Sequence, residues 1–144
     1  MSSSPPVSAP AVPQRTRGVS EIRATIAGHV RELIGEDDPG FTDDLIEAFR
    51  DSVGSLCTQA LEALQDGDTH KIAAASHQIK GSAGNVGLSR IAHDWHAVET
   101  AAVRNDPDLD RIVKESVATA RHIVAELDGR VTQRPSRGRR ASDR

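Results

Sequence analysis

The sequence predicts an all-α protein: an antiparallel four-helix bundle with an additional short N-terminal helix. Three observations carry this. Apolar residues recur at spacings of three and four along most of the chain, and no run alternates like a strand. The apolar set is Ala, Leu, Ile and Val at helical spacing, with aromatics at only 2%, namely Phe41, Phe49 and Trp95. The signals that separate the periodic segments are short, as in bundles whose neighbours run antiparallel.

Five helical segments follow in order. Residues 20–34 place Ile22, Ile26, Val30 and Leu33 on one stripe, and Gly35 stops them. Residues 42–65 open with Thr42 as a cap and two acids behind it, which suits a helix N-terminus. Leu45, Phe49, Val53, Leu56, Ala60 and Leu64 form their stripe. Asp66-Gly67-Asp68 ends this helix and Thr69 caps the next. Residues 70–84 place Ile72, Ser76, Ile79 and Ala83 inward, and Asn85 to Gly87 form a turn. Residues 88–104 turn Leu88, Ile91, Trp95, Val98 and Ala102 inward. Asp106-Pro107 starts the last helix, with proline at the first helical position. Its stripe is Leu109, Ile112, Val113, Val117, Ala120, Val124 and Leu127, and Gly129 closes it. The first short helix is expected to lie across one end of the bundle.

The bundle is expected to span residues 19–130. Residues 1–18 hold four of the seven prolines and several serines, the composition of a disordered tail. Residues 131–144 carry five arginines against one aspartate and read as a second tail. With 144 residues there is room for one domain and hardly two. A net charge of −3 argues for no partner class, and the lone Cys57 excludes an internal disulfide. No signal peptide and no membrane-spanning run stands out, so a soluble, cytoplasmic protein is expected. No glycine-rich phosphate loop of the P-loop or Rossmann type occurs.

The stretch Ala75–Gly84, ASHQIKGSAG, does not read as ordinary helix. Glycine costs a helix interior about 1 kcal/mol relative to alanine, yet Gly81 and Gly84 both lie here. His77 is two positions before Ile79, about 160° around the helix, so it faces water if Ile79 faces the core. Lys80 and Gly81 follow at three and four positions and share the histidine's face. Ala73 and Ala74 border it on the preceding turn, and Gly84 falls on the same side. The result is an exposed imidazole in a shallow patch of small residues, where another protein's backbone can approach. A neutral imidazole is a nucleophile near neutral pH, and a lysine ammonium attracts a phosphoryl group.

The chain resembles the histidine phosphotransfer (HPt) domains of multistep phosphorelays. The family pattern is roughly His-x-Leu-Lys-Gly-Ser-Ser, then a few residues and Leu-Gly; here it reads HQIKGSAGNVG, with Ile79 for Leu and Ala83 for the second Ser. The elements ALEALQDGD upstream and LSRIAHDWHAVE downstream match its flanking helices, and the resemblance covers about residues 40–128. It implies His77 as phosphoacceptor, Lys80 as a holder of phosphoryl oxygens, and Glu99 as the acceptor that orients the imidazole through Nδ1. It implies receiver domains of response regulators or a hybrid sensor histidine kinase as partners, with Gly81 giving them access, and the small-residue patch of Ala73, Ala74, Gly81 and Gly84 is the expected docking face. His70, two turns before His77, is expected to widen that patch. The resemblance also implies a carrier without kinase activity, no bound cofactor, and Mg2+ supplied by the receiver.

Other readings compete with this one. The bundle can be a docking or sequestering module that carries no phosphate. His93 and His96 in HDWH have a spacing that binds zinc, with His77 and Glu99 needed to complete the set and Cys57 far off in register. His29 and His122 read as surface or boundary residues. The arginine-rich tail offers weak contact with nucleic acid, though the bundle shows no basic face with interleaved aromatics.

Overall fold

The structure is a computed structural model that describes the backbone of residues 13–132 and the side chains of residues 21–127. Five helices follow in order: α1 Pro13–Ile34, α2 Pro39–Asp66, α3 Thr69–Asn85, α4 Ser89–Arg104 and α5 Leu109–Thr132. No strand occurs among the described residues. Helices α2 to α5 each neighbour the next, and α5 returns to α2, which closes a four-helix bundle. Helix α1 packs on α2 and α5, and His29 reaches the α3–α4 turn, so α1 covers the end where α2 begins and α5 finishes.

Most of the predicted stripe residues form the core, while Ile22, Leu45, Leu64, Ile112 and Val124 are only partly buried against it and Ile46, outside the predicted stripe, is fully buried. Ile26, Val30, Phe49, Val53, Ile72, Ile79, Ile91, Trp95, Val98, Val113 and Leu127 are all buried. Each such aliphatic side chain contributes about 1.5–3 kcal/mol on leaving water. Ser76 also lies fully buried on the inner stripe, where its hydroxyl donates to the Ile72 carbonyl at 2.7 Å. A serine is therefore tolerated against the core beside an exposed histidine.

Several boundaries differ from the sequence expectation. Helix α1 is 22 residues, longer than α3 or α4 with 17 and 16, so the N-terminal helix is not short. It begins at Pro13 rather than residue 20, so helix reaches into the segment expected to be a tail. After Pro13 no proline interrupts the chain until Pro39, and proline is well placed to begin a helix. Leu33 has the angle of the inner stripe yet is 60% exposed, because no described residue covers the last turn of α1. Gly129 does not stop α5, which continues to Thr132. The expected caps Thr42 and Thr69 are both first-turn residues instead. Asp38 caps α2, its carboxylate accepting from the Phe41 N–H at 3.0 Å, and Asp68 caps α3 through the Lys71 N–H at 3.1 Å. The tail expected over residues 1–12, and the arginine-rich tail beyond Thr132, lie outside the described residues.

Turn chemistry sets the three connections of the four-helix bundle. Gly67 ends α2 in the left-handed region at φ 69°, and Gly87 turns α3 into α4 at φ 81°. Asn105 does the same after α4 at φ 55°. The resulting α3–α4 hairpin is the most extensive helix–helix contact in the molecule, and it positions the site.

Candidate functional site

Helix α3 directs Ser76 and Ile79 inward, so His77 between them turns out, with its side chain 67% exposed. Across the hairpin, α4 presents Glu99, whose side chain is 25% exposed. One carboxylate oxygen, Oε2, lies 3.3 Å from His77 Nδ1. The other, Oε1, accepts from Lys80 Nζ at 2.9 Å. The Lys80 hydrogen bond is the chief cause holding the Glu99 carboxyl below the usual carboxylate range. Partial burial pushes the other way, and the Lys80 charge and the neighbouring His77 add to the lowering. An ionised carboxylate only accepts, so the ring nitrogen facing it carries the proton. A proton on His77 Nδ1 faces the Glu99 carboxylate in this arrangement, and Nε2 is the ring nitrogen turned away from it.

The sequence places Lys80 beside the imidazole, and the structure adds that Lys80 is half of an ion pair with Glu99. The pair is half-buried on both sides, which screens it less than a surface salt bridge. His96 completes the cluster: its Nδ1 is 3.4 Å from Lys80 Nζ and 4.0 Å from Glu99 Oε1. In the sequence His96 stands out only as a zinc candidate beside His77 and Glu99, not as a partner of Lys80. The signal for it exists, since a hairpin centred near Gly87 places residues 95–97 opposite His77.

The small residues around His77 divide. A Cβ added at Gly81 or Gly84 meets nothing within 4 Å, and both positions are exposed. Ala74 is exposed and lines a cleft of about 260 Å³ between α2 and α3 with Glu62, Asp66, Lys71 and Gln78. Ala73 is partly buried against the core, so it contributes less to the open patch than its angle suggests. His70 is exposed on the first turn of α3, two turns from His77. His29, expected at the surface or boundary, is half-buried, with its ring against Gly87.

The zinc reading meets a physical obstacle. Of its proposed ligands, His96 and Glu99 flank an ammonium, so the Lys80 cation holds the place between them. Among the described residues no three His, Cys, Asp or Glu side chains converge as metal ligands. Cys57 is fully buried in the core, where loss of solvation pushes its thiol up to about 11, and the charge of Arg121 only partly offsets this. Such a thiol stays protonated and unreactive. Among the described residues no helix is long and apolar enough to cross a membrane.

A family model described as Hpt domain matches residues 44–130, which spans α2 from its second turn to near the end of α5 and leaves out α1. No curated protein and no solved structure matches the chain.

Proposed function

The chain belongs to the Hpt domain family, which carries phosphoryl groups on histidine in phosphorelays, and on that premise we propose that His77 relays a phosphoryl group between receiver-domain aspartates. The observation that supports this reading most is the 3.3 Å approach of Glu99 to His77 Nδ1 on an otherwise open face. It leaves Nε2 as the nucleophile.

The step balances within the two proteins. The Nε2 lone pair attacks phosphorus of a receiver's aspartyl phosphate in line with the acyl P–O bond. That bond breaks and returns its electrons to the aspartate carboxylate, while an N–P bond forms. The ring keeps its Nδ1 proton and gains positive charge, which the adjacent Glu99 carboxylate stabilises. Lys80 lies beside it to offset charge on the phosphoryl oxygens. A second receiver aspartate then attacks the same phosphorus and reverses the sequence. The receiver brings the acidic pocket and its Mg2+. In this reading the chain adds a positioned imidazole and no kinase activity of its own. Gly81, Gly84 and Ala74 form the bare floor on which the receiver seats, with His70 at its margin.

The test is transfer of labelled phosphate from a receiver aspartate to the chain in Mg2+, with His77→Gln alongside. Label that survives alkali, is lost in acid and is absent from the variant is the expected result. Folded protein that takes no label from several receivers would leave a docking module that carries no phosphate.

A further inference from the structure

His96 shares the ion pair that serves His77. Lys80 has three N–H donors and no acceptor. One goes to Glu99 Oε1 at 2.9 Å, and the second has His96 Nδ1 within 3.4 Å. To accept from an ammonium, His96 Nδ1 must carry a lone pair, which puts the ring proton on Nε2. His77 requires the opposite arrangement, since it faces a carboxylate. Two imidazoles on facing helices thus hold opposite tautomers, one set by the anion of the pair and one by its cation.

We propose that His96 is a positioning residue for Lys80, acting as a neutral acceptor. This rests on the reading of His77 as phosphate carrier. A lysine ammonium ends a flexible four-carbon stem, and one bond to Glu99 leaves it free to pivot. His96 stands one turn before Glu99 on the same helix and gives a second point of attachment. A cation fixed before transfer begins needs less rearrangement when charge develops on the phosphoryl oxygens. Direct donation from His96 to Glu99 is the weaker alternative. The 4.0 Å separation exceeds a hydrogen bond, and Oε1 already holds Lys80. A positive charge at position 96 would repel Lys80 and compete for Glu99, so the arrangement requires an uncharged side chain there. The third Lys80 donor remains for the incoming phosphoryl group.

The experiment measures single-turnover phosphoryl acceptance from one receiver for wild type, His96→Leu, His96→Gln and His96→Arg, and for His96→Leu combined with Lys80→Ala. Imidazole nitrogen NMR is recorded on wild type and Lys80→Ala. His96→Leu should slow acceptance about fivefold, the size of one net hydrogen bond. His96→Gln, whose amide oxygen accepts from Lys80, should stay near wild type, and His96→Arg should be slower than His96→Leu. On the Lys80→Ala background His96→Leu should have no further effect. The His96 Nδ1 resonance should show an accepted hydrogen bond in wild type and lose it in Lys80→Ala. The inference is overturned by a wild-type rate in His96→Leu, by an equal loss with and without Lys80, or by an Nδ1 resonance indifferent to Lys80→Ala. Failure of wild type itself to take label defeats the carrier reading instead, and the resonance then still decides whether His96 holds Lys80.

Discussion

Two glycines of the α3–α4 hairpin each stand beside a histidine, and they are glycine for different reasons. Gly87 has φ 81°, and a Cβ there would lie 2.8 Å from His29 Cβ and 2.9 Å from His29 Cγ. Backbone conformation and clearance both require glycine at that turn. Gly81, beside His77, is helical, and a Cβ there meets nothing within 4 Å. Helix propensity opposes glycine at this position, and no contact among the described residues favours it. The need for Gly87 is supplied by α1, inside the molecule, whereas the reason proposed above for Gly81 is the approach of a receiver. The two histidines follow the same division. His29 is half-buried and fills space; His77 is uncovered, with a carboxylate oxygen 3.3 Å from its Nδ1.

The largest expected contrast is between those histidines. His77→Gln should abolish phosphoryl acceptance while leaving urea stability within about 0.5 kcal/mol, as for most exposed positions. His29→Ala should lower stability and leave acceptance intact. Acceptance lost equally in both variants would break the comparison. Next, Glu99→Ala should slow acceptance about ten- to a hundredfold, because the ring loses its fixed orientation. Glu99→Gln should be milder, since an amide oxygen still accepts from Nδ1; single-turnover kinetics measures both.

The glycines give opposite signs. Gly87→Ala should cost about 1–3 kcal/mol from its positive φ, with His29 crowding added, and leave the rate per folded molecule unchanged. Gly81→Ala should raise stability by up to about 1 kcal/mol and slow transfer from a receiver. If even Gly81→Leu transfers at the wild-type rate, the docking explanation for this glycine fails. The smallest effect concerns pH. Glu99 has a lowered folded pKa, so its ion pair stabilises the fold above the ordinary glutamate value of about 4.3. That contribution is lost as pH falls through the folded value. Urea midpoints of wild type and Glu99→Gln, followed from pH 5 to pH 3, should show wild type losing stability relative to the variant.

The α3–α4 contrast also shows what a sequence can disclose. Ile79, Trp95 and Val98 are legible because burial repeats with the helical period, and His77 is legible as the residue that breaks from it. The caps at Asp38 and Asp68 are harder, because each aspartate lies close before a threonine that also qualifies, and only backbone geometry separates them. Asp38-Pro39 does carry the same start signal as Asp106-Pro107. Exposure of Leu33 depends on where the neighbouring helices end, which periodicity does not encode. The partition of Glu99 between His77 and Lys80, and the approach of His96, depend on hairpin register and rotamers across residues 16 to 22 positions apart. A motif names such residues without saying which atoms meet.

The most direct test is to phosphorylate nitrogen-labelled protein from a receiver aspartate and locate phosphorus by its coupling to the imidazole nitrogens. The account predicts phosphorus on Nε2 of His77 alone, with the proton retained on Nδ1 opposite Glu99. Phosphorus on Nδ1 of His77, on His96 or on any other histidine would contradict it, as would folded protein that forms no phosphohistidine at all.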